Sequence, residues 1–120
     1  MQDIENVKAQ MKKGVLELCV LSVLEEKELY PSDILIQLKQ SDLIVVEGTI
    51  YPLLSRLKNA GFLSYRWVES HFGPPRKYFS LTPEGKTFLN ELKIAWQELI
   101  QSIHFITKGN GNGQDNTYPS

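Results

Sequence analysis

Apolar residues recur every three to four positions in four stretches of the chain, and this spacing predicts four helices. The first is expected from Ile4 to about Lys27, with a second half that is apolar nearly all round and therefore deeply buried. A second helix should begin at Pro31, because a proline in the first helical turn sacrifices no backbone hydrogen bond. Its apolar face ends near Ser41.

The third helix is the most informative, because its two faces differ in chemistry. At about 100° per residue, one arc holds only apolar side chains, which are Ile50, Leu53, Leu54, Leu57 and Ala60. The opposite face carries Tyr51, Ser55, Lys58 and Asn59, with Pro52 and Arg56 toward the flanks. The helix should start between Val46 and Thr49, since Pro52 is tolerated only in or just after the first turn. Gly61 is expected to end it.

Two alternating segments then predict a β-hairpin. The strands are expected over Phe62 to Glu69 and Arg76 to Leu81, joined by a long tip that Pro74 and Pro75 stiffen. The alternating aromatics leave two interpretations open, which are packing in the hairpin core and stacking on single-stranded nucleic acid. They are Tyr65, Trp67, Tyr78 and Phe79.

A long final helix follows the hairpin. Thr82 suits an N-cap and Pro83 the first helical position, and apolar residues then continue at helical spacing to about Thr107. A helix of some 25 residues, roughly 37 Å, is too long for so small a domain to cover, which predicts dimerisation. The predicted organisation is one domain of three helices and a hairpin over residues 1–82, a dimerisation helix over 83–108 and a disordered tail over 109–120.

Charge is distributed unevenly along the 120 residues, although the net charge is only −1. Residues 1–47 carry five lysines and nine acids, whereas residues 48–82 carry five cations and the single acid Glu69. The resulting local charge of +4 can attract a polyanion.

Composition excludes several other classes of protein. A single cysteine, Cys19, rules out an internal disulfide and a cysteine metal cluster. Apolar runs are too short to span a bilayer, and no signal pattern opens the chain, so a cytoplasmic protein without a membrane partner is expected. Two distant histidines and the lack of a glycine-rich phosphate loop favour a protein that is not an enzyme, with no cofactor and no metal.

Three helices, a hairpin and a final helix make up the winged helix-turn-helix order, a mainly α fold with one β-hairpin (α+β). In this fold the third helix enters the major groove and the hairpin lies along the DNA backbone or minor groove. The residues expected to contact double-stranded DNA are Thr49, Tyr51, Ser55, Arg56, Lys58 and Asn59 on the helix, with Arg66, Arg76 and Lys77 on the hairpin. The alternative is a winged helix module for protein–protein interaction that does not bind DNA.

Three segments together resemble the PadR family of bacterial transcriptional regulators, and the resemblance spans about residues 8–106. They read EGTIYPLLSRLKNAGFL, SYRW and GPPRKYFSLTPEG. The resemblance implies a homodimeric winged helix repressor that binds an inverted repeat, of the small subtype whose last helix pairs with its mate and with the partner's first helix. It adds Pro52, Pro74 and Pro75 to the expected DNA-binding residues. Many members have Tyr-Gly where this chain has Tyr30-Pro31, a departure that affects a helix cap.

Several residues keep two interpretations each. The resemblance places Trp96 where some members line a space for a small aromatic effector, but packing in a dimer seam is the favoured interpretation. Lys8, Lys12 and Lys13 either contact phosphate or only solubilise the first helix. His71 is either a solvated loop residue or a charge near phosphate. Cys19 is expected to pack in the core.

Overall fold

The computed structural model describes residues 3–108 and contains five helices and one antiparallel hairpin within that range. The elements are α1 (Ile4–Lys13), α2 (Leu16–Val23), α3 (Pro31–Gln40), α4 (Glu47–Asn59), β1 (Leu63–Ser70), β2 (Gly73–Leu81) and α5 (Pro83–Lys108). The predicted α+β winged helix order is confirmed. The tail predicted over residues 109–120 lies outside the described residues.

The first predicted helix is wrong as a single element, because α1 ends before Gly14 and the backbone leaves helical geometry at Val15. The N–H of Gly14 donates to the carbonyls of Gln10 and Met11, and Val15 adopts φ −114° and ψ 10°. Glycine is a poor helix former, so a break there is inexpensive. The second piece ends at Val23 instead of Lys27, because the polar residues 25–27 have no apolar face to bury.

A single apolar core forms in the compact unit that ends at Leu89, and the second unit begins at Asn90 within α5. Its most completely buried side chains are Val20, Leu21, Leu24, Ile34, Ile50, Leu54, Leu57 and Leu89. The predicted apolar arc of α4 is confirmed except at Ala60, which caps the helix and is exposed. Deep burial of α2 is also confirmed, although Cys19 is only half-buried.

The hairpin is longer and its tip tighter than predicted. β2 starts at Gly73, so Pro74 and Pro75 belong to the strand, and only His71 and Phe72 separate the strands. Pro74 and Pro75 lie where the ladder is irregular, between the pairs Ser70–Gly73 and Val68–Arg76, and proline is tolerated at such a bulge. Leu29 and Phe79 exchange two backbone hydrogen bonds of 3.0 and 2.8 Å, which tie the hairpin to the segment before α3.

Three of the four hairpin aromatics fit packing in the hairpin core, and one does not. Phe79 is buried, and the Tyr65 and Tyr78 rings are half-buried, as packing in the hairpin core predicts. Trp67 is 60% exposed, so the core interpretation is wrong for this residue.

The junction between the hairpin and α5 is closely packed, and its helix cap confirms the predicted start. The Thr82 hydroxyl accepts a 2.9 Å hydrogen bond from the Gly85 N–H and donates one of 2.6 Å to the Gly61 carbonyl. Gly61 adopts φ 90°, a conformation that favours glycine after a helix. The rings of Phe62 and Phe88 stack 4.1 Å apart. These contacts fix the hairpin to the end of α4.

Candidate nucleic-acid interface

The outer face of α4 is exposed along its whole length. Pro52 is the sixth residue of this helix, so the proline lies just beyond the first turn and cannot donate to the Gly48 carbonyl. Four buried leucine and isoleucine side chains hold the inner face of α4 against the core. The predicted contact residues of the helix are all exposed, namely Thr49, Tyr51, Pro52, Ser55, Arg56, Lys58 and Asn59.

Two of the predicted DNA-contacting cations form ion pairs within the protein. Arg56 pairs with Glu17 of α2, and Arg66 of β1 pairs with Glu28, to which its Nε donates at 2.9 and 3.0 Å. Hydrogen bonding to Arg66 lowers the pKa of the Glu28 carboxyl, and the same bonding raises the pKa of Arg66. These pairs tie α4 and the hairpin to the rest of the fold.

The remaining three predicted cations lie over aromatic rings. The Lys77 Nζ is 4.4 Å from the centroid of the Tyr65 ring, and the Lys58 Nζ approaches the same ring at 5.5 Å. The Arg76 guanidinium lies 4.8 Å from the centroid of Tyr30. None of the three forms an ion pair with a carboxylate among residues 3–108. Aromatic faces therefore orient these cations without neutralising their charge.

A groove with a volume of about 230 Å³ lies between α4 and the hairpin. It brings together five residues that the sequence predicted as contacts, which are Tyr51, Ser55, Pro75, Arg76 and Lys77. It also includes Tyr30, Pro31 and Trp67, which the sequence analysis did not propose as contacts with double-stranded DNA. Nothing local in the sequence signals that these three meet α4.

Tyr51 contributes a hydroxyl to the edge of this groove. Burial, followed by the charge of Glu47 and of Tyr30, raises the pKa of the Tyr51 hydroxyl. A tyrosine hydroxyl is protonated at neutral pH even without this shift, so it can donate a hydrogen bond to an anion. Thr49 lies apart from this groove, on the side of α4 that faces α1.

A second exposed surface runs along α5. Leu92, Trp96, Leu99, Ile103 and Ile106 follow the alternating four- and three-residue spacing of a coiled-coil seam. Trp96 is 36% exposed, Ile103 47% and Ile106 74%. We refer to these five residues as the α5 seam.

Other chemistries find little support in the described part of the chain. Residues 3–108 hold no group of three or more His, Cys, Asp or Glu side chains placed to bind a metal ion. Burial raises the pKa of the Cys19 thiol, which disfavours a reactive thiolate. No helix in this range is both long and apolar enough to cross a membrane.

Comparison with known proteins places these features in a family. The sequence model described as the transcriptional regulator PadR-like family matches residues 20–91. A PadR-like transcription factor from Bacteroides fragilis has a solved structure that is 56% identical, with a TM-score of 0.71 over 82% of this chain and 96% of that one. A PadR family regulator from Eggerthella lenta is 28% identical, with a TM-score of 0.83 over 89% and 94%.

The structure of Bacillus subtilis PadR in complex with operator DNA is also similar. It is 29% identical to this chain with a TM-score of 0.62. The match covers 67% of this chain and 47% of that protein.

Proposed function

Because the chain belongs to the PadR-like transcriptional regulator family, we propose that it is a cytoplasmic homodimeric repressor that binds an inverted repeat in operator DNA. The family makes it a DNA-binding transcription regulator. The observation that carries the finer proposal is the groove between α4 and the hairpin. In this groove the exposed face of α4 lies beside two cations of the hairpin, Arg76 and Lys77. Neither forms an ion pair with a carboxylate among residues 3–108.

In this proposal α4 enters the major groove and the hairpin follows the adjoining backbone. Tyr51 and Ser55 donate to phosphate oxygens, while Thr49 and Asn59 reach base edges. Pro75 shapes the strand that presents its two neighbouring cations, Arg76 and Lys77, to phosphates. The structure of Bacillus subtilis PadR with operator DNA supports DNA binding by this chain, because the two folds match over 67% of this chain.

Arg56 and Arg66 were also expected to contact DNA, and here we assign them a different primary role. Each is paired with an acid of its own chain, Glu17 or Glu28. We propose that these pairs hold α4 and the hairpin at the angle that docking requires, and that Lys58, Arg76 and Lys77 supply the phosphate contacts.

The α5 seam supports pairing with a second copy of the chain. Apolar side chains at coiled-coil spacing are stabilised by a partner that removes them from water. Ile4 and Met11 of α1 form a further exposed apolar strip, 65% and 68% exposed, that suits the α5 helix of the partner. Two α4 helices in such a dimer would read half-sites about one helical turn apart.

A small aromatic effector is proposed to act at Trp96. An indole face at the centre of a dimer seam can stack on a flat ligand. Such a ligand releases DNA only if it binds the released arrangement of the two domains more tightly than the bound one.

The salt dependence of DNA binding tests the proposal. Affinity for duplex DNA should fall log-linearly with salt, because each phosphate contact releases counterions. A protein-binding module with an apolar interface would lack this dependence. If the purified chain shows no affinity for duplex DNA from a random pool at low salt, the proposed function is wrong.

A further inference from the structure

A second hollow, with a volume of about 400 Å³, lies on the opposite side of the α4 N-terminus from the groove. α1 forms one wall, through Lys8, Lys12 and Lys13 among others, and residues 43–46 with Thr49 form the other. α1 itself buries no side chain, so its lysines are held at the surface beside the start of α4.

The lysines of this hollow differ in their charge environment. Lys8 is paired with Glu5 at 3.6 Å, and both side chains are exposed. Lys12 and Lys13 form no ion pair with a carboxylate among residues 3–108. Glu5 is the one acid that lines the hollow. The part of the hollow nearest α2 is therefore positively charged.

Helix geometry places this charge away from the hairpin. Thr49 lines the hollow, whereas Tyr51 and Ser55 line the groove. Around the axis of α4, Thr49 is separated from Tyr51 by about 160° and from Ser55 by about 120°. A helix in the major groove has one phosphate backbone on each side of it. The hairpin cations occupy one side, and Lys12 and Lys13 occupy the other.

We propose that Lys12 and Lys13 bind the DNA backbone on the side of α4 opposite the hairpin, as a second phosphate-binding flank. This inference rests on the proposed DNA binding by α4. It selects between the two interpretations that the sequence left open for these lysines. Lys12 and Lys13 lie in the last turn of α1, where their charges also interact favourably with the negative end of the helix dipole. That role alone would change the stability of the fold and leave DNA binding unaffected.

The test compares two double variants of the full chain that remove the same charge. Lys12→Ala/Lys13→Ala alters the proposed flank. Lys27→Ala/Lys86→Ala is the matched control, because both lysines are exposed and line neither the hollow nor the groove. Each is titrated with a duplex selected by the wild-type chain at several salt concentrations, and its thermal midpoint is recorded.

The flank variant should lose about 0.9 from the log–log salt slope for each lysine removed, with a thermal midpoint close to that of the control. Hydroxyl-radical footprints should lose protection at phosphates flanking the site. An unchanged slope overturns the inference, as does a slope change that is matched by the control. A change confined to the oligomeric state also overturns it. Failure of the wild-type chain to bind duplex DNA would instead reject the proposed function itself.

Discussion

Tyr51 has the two properties that a DNA-contacting residue needs, which are an exposed side chain and a protonated hydroxyl. Its side chain is 45% exposed at the edge of the groove, and its phenol is a hydrogen-bond donor at neutral pH. The ring also lines the groove beside Tyr30, so the hydroxyl is presented by a supported side chain.

Replacing Tyr51 with Phe removes only the hydroxyl. A hydrogen bond to a charged phosphate contributes about 1.5 kcal/mol, so operator affinity should fall roughly tenfold. The thermal midpoint should stay unchanged, because the ring is retained. Fluorescence anisotropy and a thermal melt measure the two quantities. An affinity loss that appears only together with a lower midpoint would mean that the hydroxyl serves the fold instead of the DNA.

The Glu28–Arg66 pair makes a separate prediction about pH. Its hydrogen bonds lower the pKa of Glu28, so the stabilisation is present above the unfolded-state pKa and is lost as pH falls through the folded-state value. Glu28→Gln should therefore be less stable than the wild type at neutral pH. The difference should shrink in acid.

Thermal midpoints measured from neutral to acidic pH for both proteins check this expectation. Asp42→Asn is a suitable control, because Asp42 forms no ion pair with a described residue. A constant difference between wild type and Glu28→Gln at every pH would show that the charge of Glu28 is not its source.

Among the elements, the start of α5 depends on a glycine for steric reasons. A Cβ at Gly85 would lie 2.0 Å from the Phe62 carbonyl oxygen, which belongs to the backbone and cannot rotate away. Gly48 in α4 has nothing within 4 Å of its own ideal Cβ. The two glycines therefore form a matched pair.

Gly85→Ala should destabilise the fold by about 3 kcal/mol, as overpacking does in a rigid site. Gly48→Ala should leave stability unchanged or raise it by about 0.5 kcal/mol, because alanine favours a helix. Denaturant unfolding of both variants measures these differences. Equal effects at the two positions would contradict the close packing of α5 against Phe62.

How well each element could be predicted depends on whether its determinants are local. α4 was predicted correctly because its apolar period, Pro52 and Gly61 all lie within one short segment. The break at Gly14 was missed because apolar residues keep helical spacing on both sides of it. Pro74 and Pro75 suggested a loop, since the sequence does not reveal the irregularity in the strand pairing that accommodates them.

The candidate site was predictable only in part, for the same physical reason. Exposure of Tyr51, Ser55 and Lys58 follows from the period of one helix. The ion pair of Arg56 with Glu17 joins residues 39 apart, and that of Arg66 with Glu28 joins residues 38 apart. Such partners are set by tertiary packing, which a one-dimensional pattern does not contain.

For the whole molecule, the account requires two copies joined through the α5 seam. Ile103→Asp places a charge within that seam and should convert the protein to a monomer. Gln101→Asp adds the same charge about 180° around the helix, away from the seam, and should remain dimeric. Sedimentation velocity over a range of concentrations distinguishes the two states. A wild-type chain that is monomeric at micromolar concentration would contradict the seam as a dimer interface.

Selection of bound duplexes from a random library at physiological salt tests the central claim most directly. Two α4 helices related by a two-fold axis should enrich a palindrome whose half-sites lie about one helical turn apart. Enrichment should be lost in the Ile103→Asp variant, because one α4 helix reads only a half-site. A library that shows no enrichment, or that yields a single asymmetric site, would contradict the account.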